Sequence, residues 1–167
     1  MINDKMEKAL NAQINAELYS AYVYLSMAAY FESRDLPGMA NWMTAQAQEE
    51  VAHAMKLYRH IVERGGRVSL TAIDGPPADW ESPAAVFEAA YKHEQHVTKL
   101  IHDLVALSIE VKDYAAKSML DWFVDEQVEE EASASAIVAK LQMIGDHAPA
   151  LLMLDNELGA RPAGAEE

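Results

Sequence analysis

Apolar residues recur along most of the chain at steps of three and four, the spacing that lays a continuous stripe along a helix turning 100° per residue. Met6, Leu10, Ile14, Ala21, Tyr24 and Ala28 mark one stripe, and Met39, Met43, Ala54, Leu57 and Ile61 a second. Phe87, Ala90, Val97, Ile101 and Val105 mark a third, and Leu120, Phe123, Ala134, Ile137 and Leu141 a fourth. These segments are rich in Ala, Leu, Met, Glu, Gln and Lys, which lose little rotamer freedom in a helix. Breakers fall between the stripes, at Pro37-Gly38, Gly65-Gly66, Gly75-Pro76-Pro77, and Gly145 with Pro149. The pattern predicts helices at about 3–33, 38–63, 83–111 and 113–143, with a short fifth at 150–158 that presents Leu151, Leu152, Leu154 and Leu158. Ser82-Pro83 reads as an N-cap followed by proline at the first helical position, whereas the fourth helix has only Lys112-Asp113 to mark its start. Residues 66–82 have no helical period and read as a long crossover, and the tail RPAGAEE reads as loose. Short links within the first and second helix pairs and a long one between them predict an all-α fold. It is a four-helix bundle with a crossover between helices 2 and 3 and a short fifth helix, one domain over residues 1–167.

Acids interrupt every stripe. Glu17 lies inside the first, Glu50 the second, Glu94 the third, and Gln127 with Glu130 the fourth. An unpaired buried carboxylate costs several kcal/mol, so one on each of four core faces needs a compensating positive charge. No lysine or arginine falls in the stripes near these acids; Arg64 is far along the second helix. Metal ions remain, and two divalent ions match the summed charge of Glu17, Glu50, Glu94 and Glu130. His53, three residues after Glu50, completes the Glu-x-x-His spacing that brings a carboxylate and an imidazole to one metal. Di-iron bundles commonly carry that pair twice; here the second copy is Gln127-x-x-Glu130, which makes the site asymmetric. Imidazole and carboxylate suit iron, manganese and zinc alike. Tyr24, seven residues after Glu17 on the same face, is placed either to hydrogen-bond a ligand or donate an electron, or simply to pack.

Charge and composition narrow the partners. With 13 basic and 27 acidic side chains the formal net charge is −14, which repels nucleic acid and anionic membrane surfaces and favours cations. Cys 0 removes disulfides, thiolate metal sites and cysteine nucleophiles. MINDKMEKAL is charged and has no apolar signal core, and the uncharged run Leu18 to Phe31 is shorter than the ~20 residues of a spanning helix, so a cytoplasmic location is expected. The other histidines, His60, His93, His96, His102 and His147, lack a ligand's spacing and read as surface or packing residues; the nine methionines read mainly as core filling.

Three stretches, QINAELYSAYVYLSMAAYF, NWMTAQAQEEVAHAM and FVDEQVEEEASA, together with ERGGRV and PPADWESP, resemble the non-haem ferritins of bacteria and archaea over about residues 4 to 158. The resemblance implies a ferritin-like bundle that assembles as a homo-oligomer of 24 chains. It also implies a ferroxidase that oxidises Fe(II) to Fe(III) with O2 or peroxide and keeps ferric mineral inside the shell. It assigns Glu17, Glu50 and His53 to one iron and Glu50, Glu94 and Glu130 to a second, with Glu50 bridging and Gln127 beside the oxygen-binding side. It further implies a third iron near Glu49, Glu126, Glu129 and Glu130. Val51 stands where bacterioferritins carry their haem methionine, which argues against haem. Lys117 and Leu120 replace the acids of the animal three-fold channel, leaving Glu110, Asp113 and Asp121 as candidates for an iron access route.

Two other classes of function compete with a ferroxidase and iron store. A di-iron oxidase or peroxidase would turn over without retaining metal, and the Gln-x-x-Glu pair, the further acids and the terminal helix speak against it. A helical interaction module without metal leaves the inward glutamates unexplained.

Overall fold

Helix ends in the computed structural model, which describes residues 1–162, are set by specific caps. Helix α1 (Asp4–Glu32) opens at Asn3, whose side chain accepts from the Lys5 and Met6 amides, with Asp4 and Glu7 in its positive first turn. Helix α2 (Pro37–Glu63) ends where the Gly65 amide donates to the Val62 carbonyl and the Gly66 amide to that of Ile61, with Gly65 at φ +73°. Helix α3 (Pro83–Glu110) is capped by Ser82, which accepts from the Ala85 amide at 3.1 Å. Helix α4 (Tyr114–Ile144) starts at Asp113, whose carboxylate accepts from the Ala116 amide at 3.1 Å and pairs with Arg64 at 2.9 Å. The start that the sequence marked so weakly is thus fixed by a residue of α2's end. Helix α5 (Ala148–Leu158) follows a turn in which Gly145 takes φ +52° and His147 Nδ1 accepts from the Ala150 amide. None of the described residues forms a strand, and no helix is long and apolar enough to cross a membrane.

The most extensive packing joins α1 to α2 and α3 to α4, as short connections within each pair require. The buried residues among those described form two apolar clusters with a polar belt between them. One cluster, nearer α5, holds Tyr24, Phe31, Met39, Met43, Phe87 and Leu141 with Leu154 and Leu158. The other holds Met6, Leu10, Ile14, Leu57, Ile61, Ile101 and Phe123. Glu17 falls between the clusters on α1, Glu50 and His53 on α2, Glu94 on α3, and Gln127 with Glu130 on α4. Val105, expected in the third stripe, is only half-buried; Leu104, 100° away on the helix, takes the buried place. On α5 the expected leucines divide, with Leu154 and Leu158 buried, Leu151 half-buried and Leu152 exposed.

Two long-range ties lock the pieces. The crossover runs beside α1, where Asn11 donates to the Arg67 carbonyl at 3.0 Å and accepts from the Ser69 amide at 2.7 Å. Asn15 donates to Thr71 Oγ1 and the Ala72 carbonyl, both at 2.9 Å. At the other end, α2 has no cap from its own chain start; Asp155 of α5 instead accepts from the Met39 amide at 2.8 Å. The approach is close enough that a Cβ on Gly38 would fall 1.7 Å from the Asp155 carbonyl oxygen, so only glycine fits. The tail is not loose at its start: Arg161 is held by Glu49, Trp42 and Asn41. The remainder of that expectation, residues 163–167, lies outside the described residues.

Candidate metal centre

The polar belt gathers side chains from all four long helices. Glu17, Glu50 and His53 are each at most 2% exposed and offer ligand atoms that all lie within 4.8 Å of one another. Gln13 donates to Glu17 Oε1 at 2.9 Å, while Glu17 Oε2 is buried and accepts no hydrogen bond. Glu50 Oε2 lies 3.4 Å from His53 Nδ1. Trp122 and Phe123 set ring edges against the imidazole, at centroid distances of 5.4 and 5.8 Å, and so limit how it can turn. A second trio, His53, Glu126 and Glu130, meets the same 4.8 Å limit across α2 and α4.

Glu94 stands outside both trios. Its oxygens accept from the Tyr24 hydroxyl and, at 3.1 Å, from Gln127 Nε2, which also donates to the Glu94 carbonyl and to Thr98 Oγ1. Glu130 accepts from Gln46 Nε2 at 2.7 Å. Glu49 and Glu129, expected with Glu126 near a third ion, join neither trio: Glu49 is engaged by Arg161 at 2.6 Å and Glu129 is exposed. None of the ion pairs that lysine or arginine makes among the described residues reaches Glu17, Glu50, Glu94 or Glu130.

Burial of acids that no cation compensates dictates the electrostatics. Burial pushes the Glu94 carboxyl up to about 7, against the pull of the hydrogen bonds from Tyr24 and Gln127. Burial, reinforced by the charge on Glu94, pushes Glu130 up to about 8, with the Gln46 bond opposing. Glu50 is raised well above the usual carboxylate range by burial and then by Glu94, Glu17 and Glu130. The Tyr24 phenol is likewise raised, by burial and by Glu94, Glu130 and Glu50, so it stays a neutral donor. Glu50, Glu94 and Glu130 thus keep their protons to higher pH than an exposed glutamate does.

Several partners were not expected from the sequence. Gln13 precedes Glu17 by four residues on α1, and that spacing was the available signal for their bond, whereas Gln46, four residues before Glu50, donates instead to Glu130 of α4, a partner that no spacing indicates. Thr98 donates to Glu131 at 2.6 Å and receives from Gln127, a link with no sequence signature. His93 is bound to Ser20 at 2.7 Å and packed on Tyr19 and Tyr24; burial lowers it to about 4, so it is a neutral packing residue. The acids considered for an access route are each paired within the chain: Glu110 with Lys5 at 3.5 Å, Asp113 with Arg64, and Asp121 with Lys117 at 2.8 Å.

A family model described as a ferritin-like domain matches residues 7–144. The bacterial non-heme ferritin of Bacteroides fragilis (strain 638R) is 44% identical over 161 residues, spanning 96% of this chain and 100% of that protein. That of Staphylococcus aureus (strain USA300) is 38% identical over 96% of this chain and 97% of its own length. Among solved structures, an open pore ferritin from the hyperthermophilic archaeon Archaeoglobus fulgidus is 56% identical, with a TM-score of 0.96 over 97% of this chain and 100% of that one.

Proposed function

The chain belongs to the ferritin family, and from that membership we propose that it is a ferroxidase that oxidises Fe(II) at a dinuclear site in the bundle and stores the ferric product inside a homo-oligomeric shell of 24 chains. The observation that carries the reading is the trio Glu17, Glu50 and His53, buried and convergent, among glutamates that no lysine or arginine neutralises. Iron is the substrate and cargo. One Fe(II) would take Glu17, Glu50 and His53, and a second Glu50, Glu94 and Glu130, with Glu50 shared. With His53 taken by the first ion, Glu126 and Glu130, whose ligand atoms also meet within 4.8 Å, support a further position beside them that would share Glu130, with Glu49 and Glu129 as the remaining candidate donors. A cytoplasmic location fits this role.

The residues do electrostatic and positional work. Carboxylates favour Fe(III) over Fe(II), which helps drive oxidation. Each Fe(II) gives up one electron, so a pair supplies the two that reduce O2 to the peroxide level or peroxide to water. Protons displaced from Glu50, Glu94 and Glu130 by the incoming ions leave the site or pass to the reduced oxygen. Gln127 and Tyr24 orient the Glu94 carboxylate, Gln13 that of Glu17, and Gln46 that of Glu130.

The test follows initial Fe(III) formation in air, then co-elution of several hundred added irons per chain with protein on size exclusion. Hundreds of irons on a particle far larger than 18.5 kDa are expected. Glu17→Ala and Glu50→Ala should abolish the fast oxidation; an unchanged initial rate in either would overturn the site. Fast oxidation with iron that never travels with the protein would leave the centre and remove the store.

A further inference from the structure

Beside the metal centre, and outside the ligand set proposed above for its first two ions, a cation from the chain's own C-terminal segment already occupies an acid. Arg161 donates from Nη2 to Glu49 Oε2 at 2.6 Å, and its guanidinium lies over the Trp42 ring at 4.8 Å. The backbone behind it is docked on α2, since Asn41 donates to the Arg161 carbonyl at 3.0 Å. Glu49 is part of the belt's electrostatics: its charge raises the Glu130 carboxyl, and it stands three residues after Gln46, which donates to that carboxyl. The guanidinium is nonetheless poorly satisfied. Its Nη1 is buried and has no hydrogen-bond partner, and the pair retains partial solvent access at 24% and 15% exposure. A monovalent cation held by a single charge-assisted bond, with a second donor stranded, is one that a divalent ion can displace.

We propose that Arg161 is a built-in competitor for metal at Glu49, so that a further ion taken up by Glu49 beside Glu126 and Glu130 must displace the guanidinium and undock residues 159–162. The inference rests on the reading of the belt as a metal centre and adds a consequence for it. The first two ions bind without touching the C-terminal segment, whereas a further ion at Glu49 works against Arg161 and is held more weakly. Ions at that position are therefore transient, and occupancy of the centre is reported at the surface by release of the segment that follows α5.

The experiment compares the assembled wild-type protein with R161Q and R161K, stripped of metal and titrated with Co(II), a redox-inert probe under these conditions, by calorimetry at pH 7. Deuterium uptake of the peptide covering residues 155–162 is followed in parallel. Two ions per chain should bind equally in all three proteins, which also shows that the variants are folded. The next ion should bind about tenfold or more tightly in R161Q than in wild type, with R161K between them. Uptake at 159–162 should rise in wild type only when that ion is added, and should be high from the outset in R161Q. A third-ion affinity unmoved by R161Q, or a C-terminal segment that stays protected through its binding, overturns the role of Arg161 alone. Failure of the first two ions to bind any of the proteins overturns the metal-centre reading and this inference together.

Discussion

Replacing Glu130 by glutamine should make the metal-free protein more stable and the metal-bound protein less so. The Glu130 carboxyl is 5% exposed and titrates at about 8 in the fold against 4.5 ordinarily, chiefly because burial penalises its charge. Between those values the folded chain binds a proton that the unfolded chain has released. Stability therefore falls as pH rises from about 4.5 to 8 and levels off above. At about 1.4 kcal/mol per pH unit, the loss accumulated by pH 7 is on the order of 3 kcal/mol. Glutamine carries no charge to desolvate, and its carbonyl can still accept the bond from Gln46. The Tm of chelator-treated E130Q should match wild type near pH 4.5 and exceed it by about 6–12 °C at pH 7, at roughly 2–4 °C per kcal/mol for a chain of this size. Saturating Zn(II) should reverse the order, because the metal stabilises only the form that offers the carboxylate. A gap independent of pH, or a metal-free E130Q that melts below wild type at pH 8, would refute the claim that Glu130 is held in the fold at a cost.

Two further predictions concern residues around the belt. Tyr24→Phe removes a donor that pulls the Glu94 carboxyl down, so Glu94 should titrate above about 7 and the pH at which Zn(II) half-loads the site should move upward; an unmoved midpoint would show that the phenol only packs. Asp155→Ala strips the Met39 amide of its acceptor and should cost roughly 1 kcal/mol in thermal unfolding, as other lost N-caps do. Asp155→Asn should recover most of that loss, and equal losses for both variants would assign the effect to packing.

The bundle and the inward acids were legible because both are local, periodic signals. A glutamate among alanines and leucines at a helical step is visible on the sequence, and Glu17, Glu50, Glu94 and Glu130 all proved buried. What stayed hidden depends on partners far along the chain. Asp155 caps α2 across 116 residues, Asn15 binds the crossover across 56, and Arg161 reaches Glu49 across 112. No periodicity connects such pairs, since they follow from how rigid helices dock once formed. Helix phase explains the rest: Glu129, one residue from the buried Glu130, is turned 100° away into solvent, and the same offset exchanges Leu104 for Val105.

The division of the core into two apolar clusters explains how the fold tolerates its centre. Were the acids scattered along the bundle, each would interrupt the packing of its own turn. Gathered at one level, they leave continuous apolar contacts above and below, from Tyr24 and Phe87 on one side to Leu10, Ile101 and Phe123 on the other. Those contacts clamp all four helices at both ends of the belt, so the backbone carrying the glutamates cannot spread to let water in. The destabilisation is thereby confined to side chains, which can relieve it in two ways, by holding protons or by taking up cations. The amides of Gln13, Gln46 and Gln127 keep three of the four carboxyls aimed in the metal-free protein. On the proposed reading, an arriving ion would meet oxygens already in position and exchange with protons instead of reorganising the bundle.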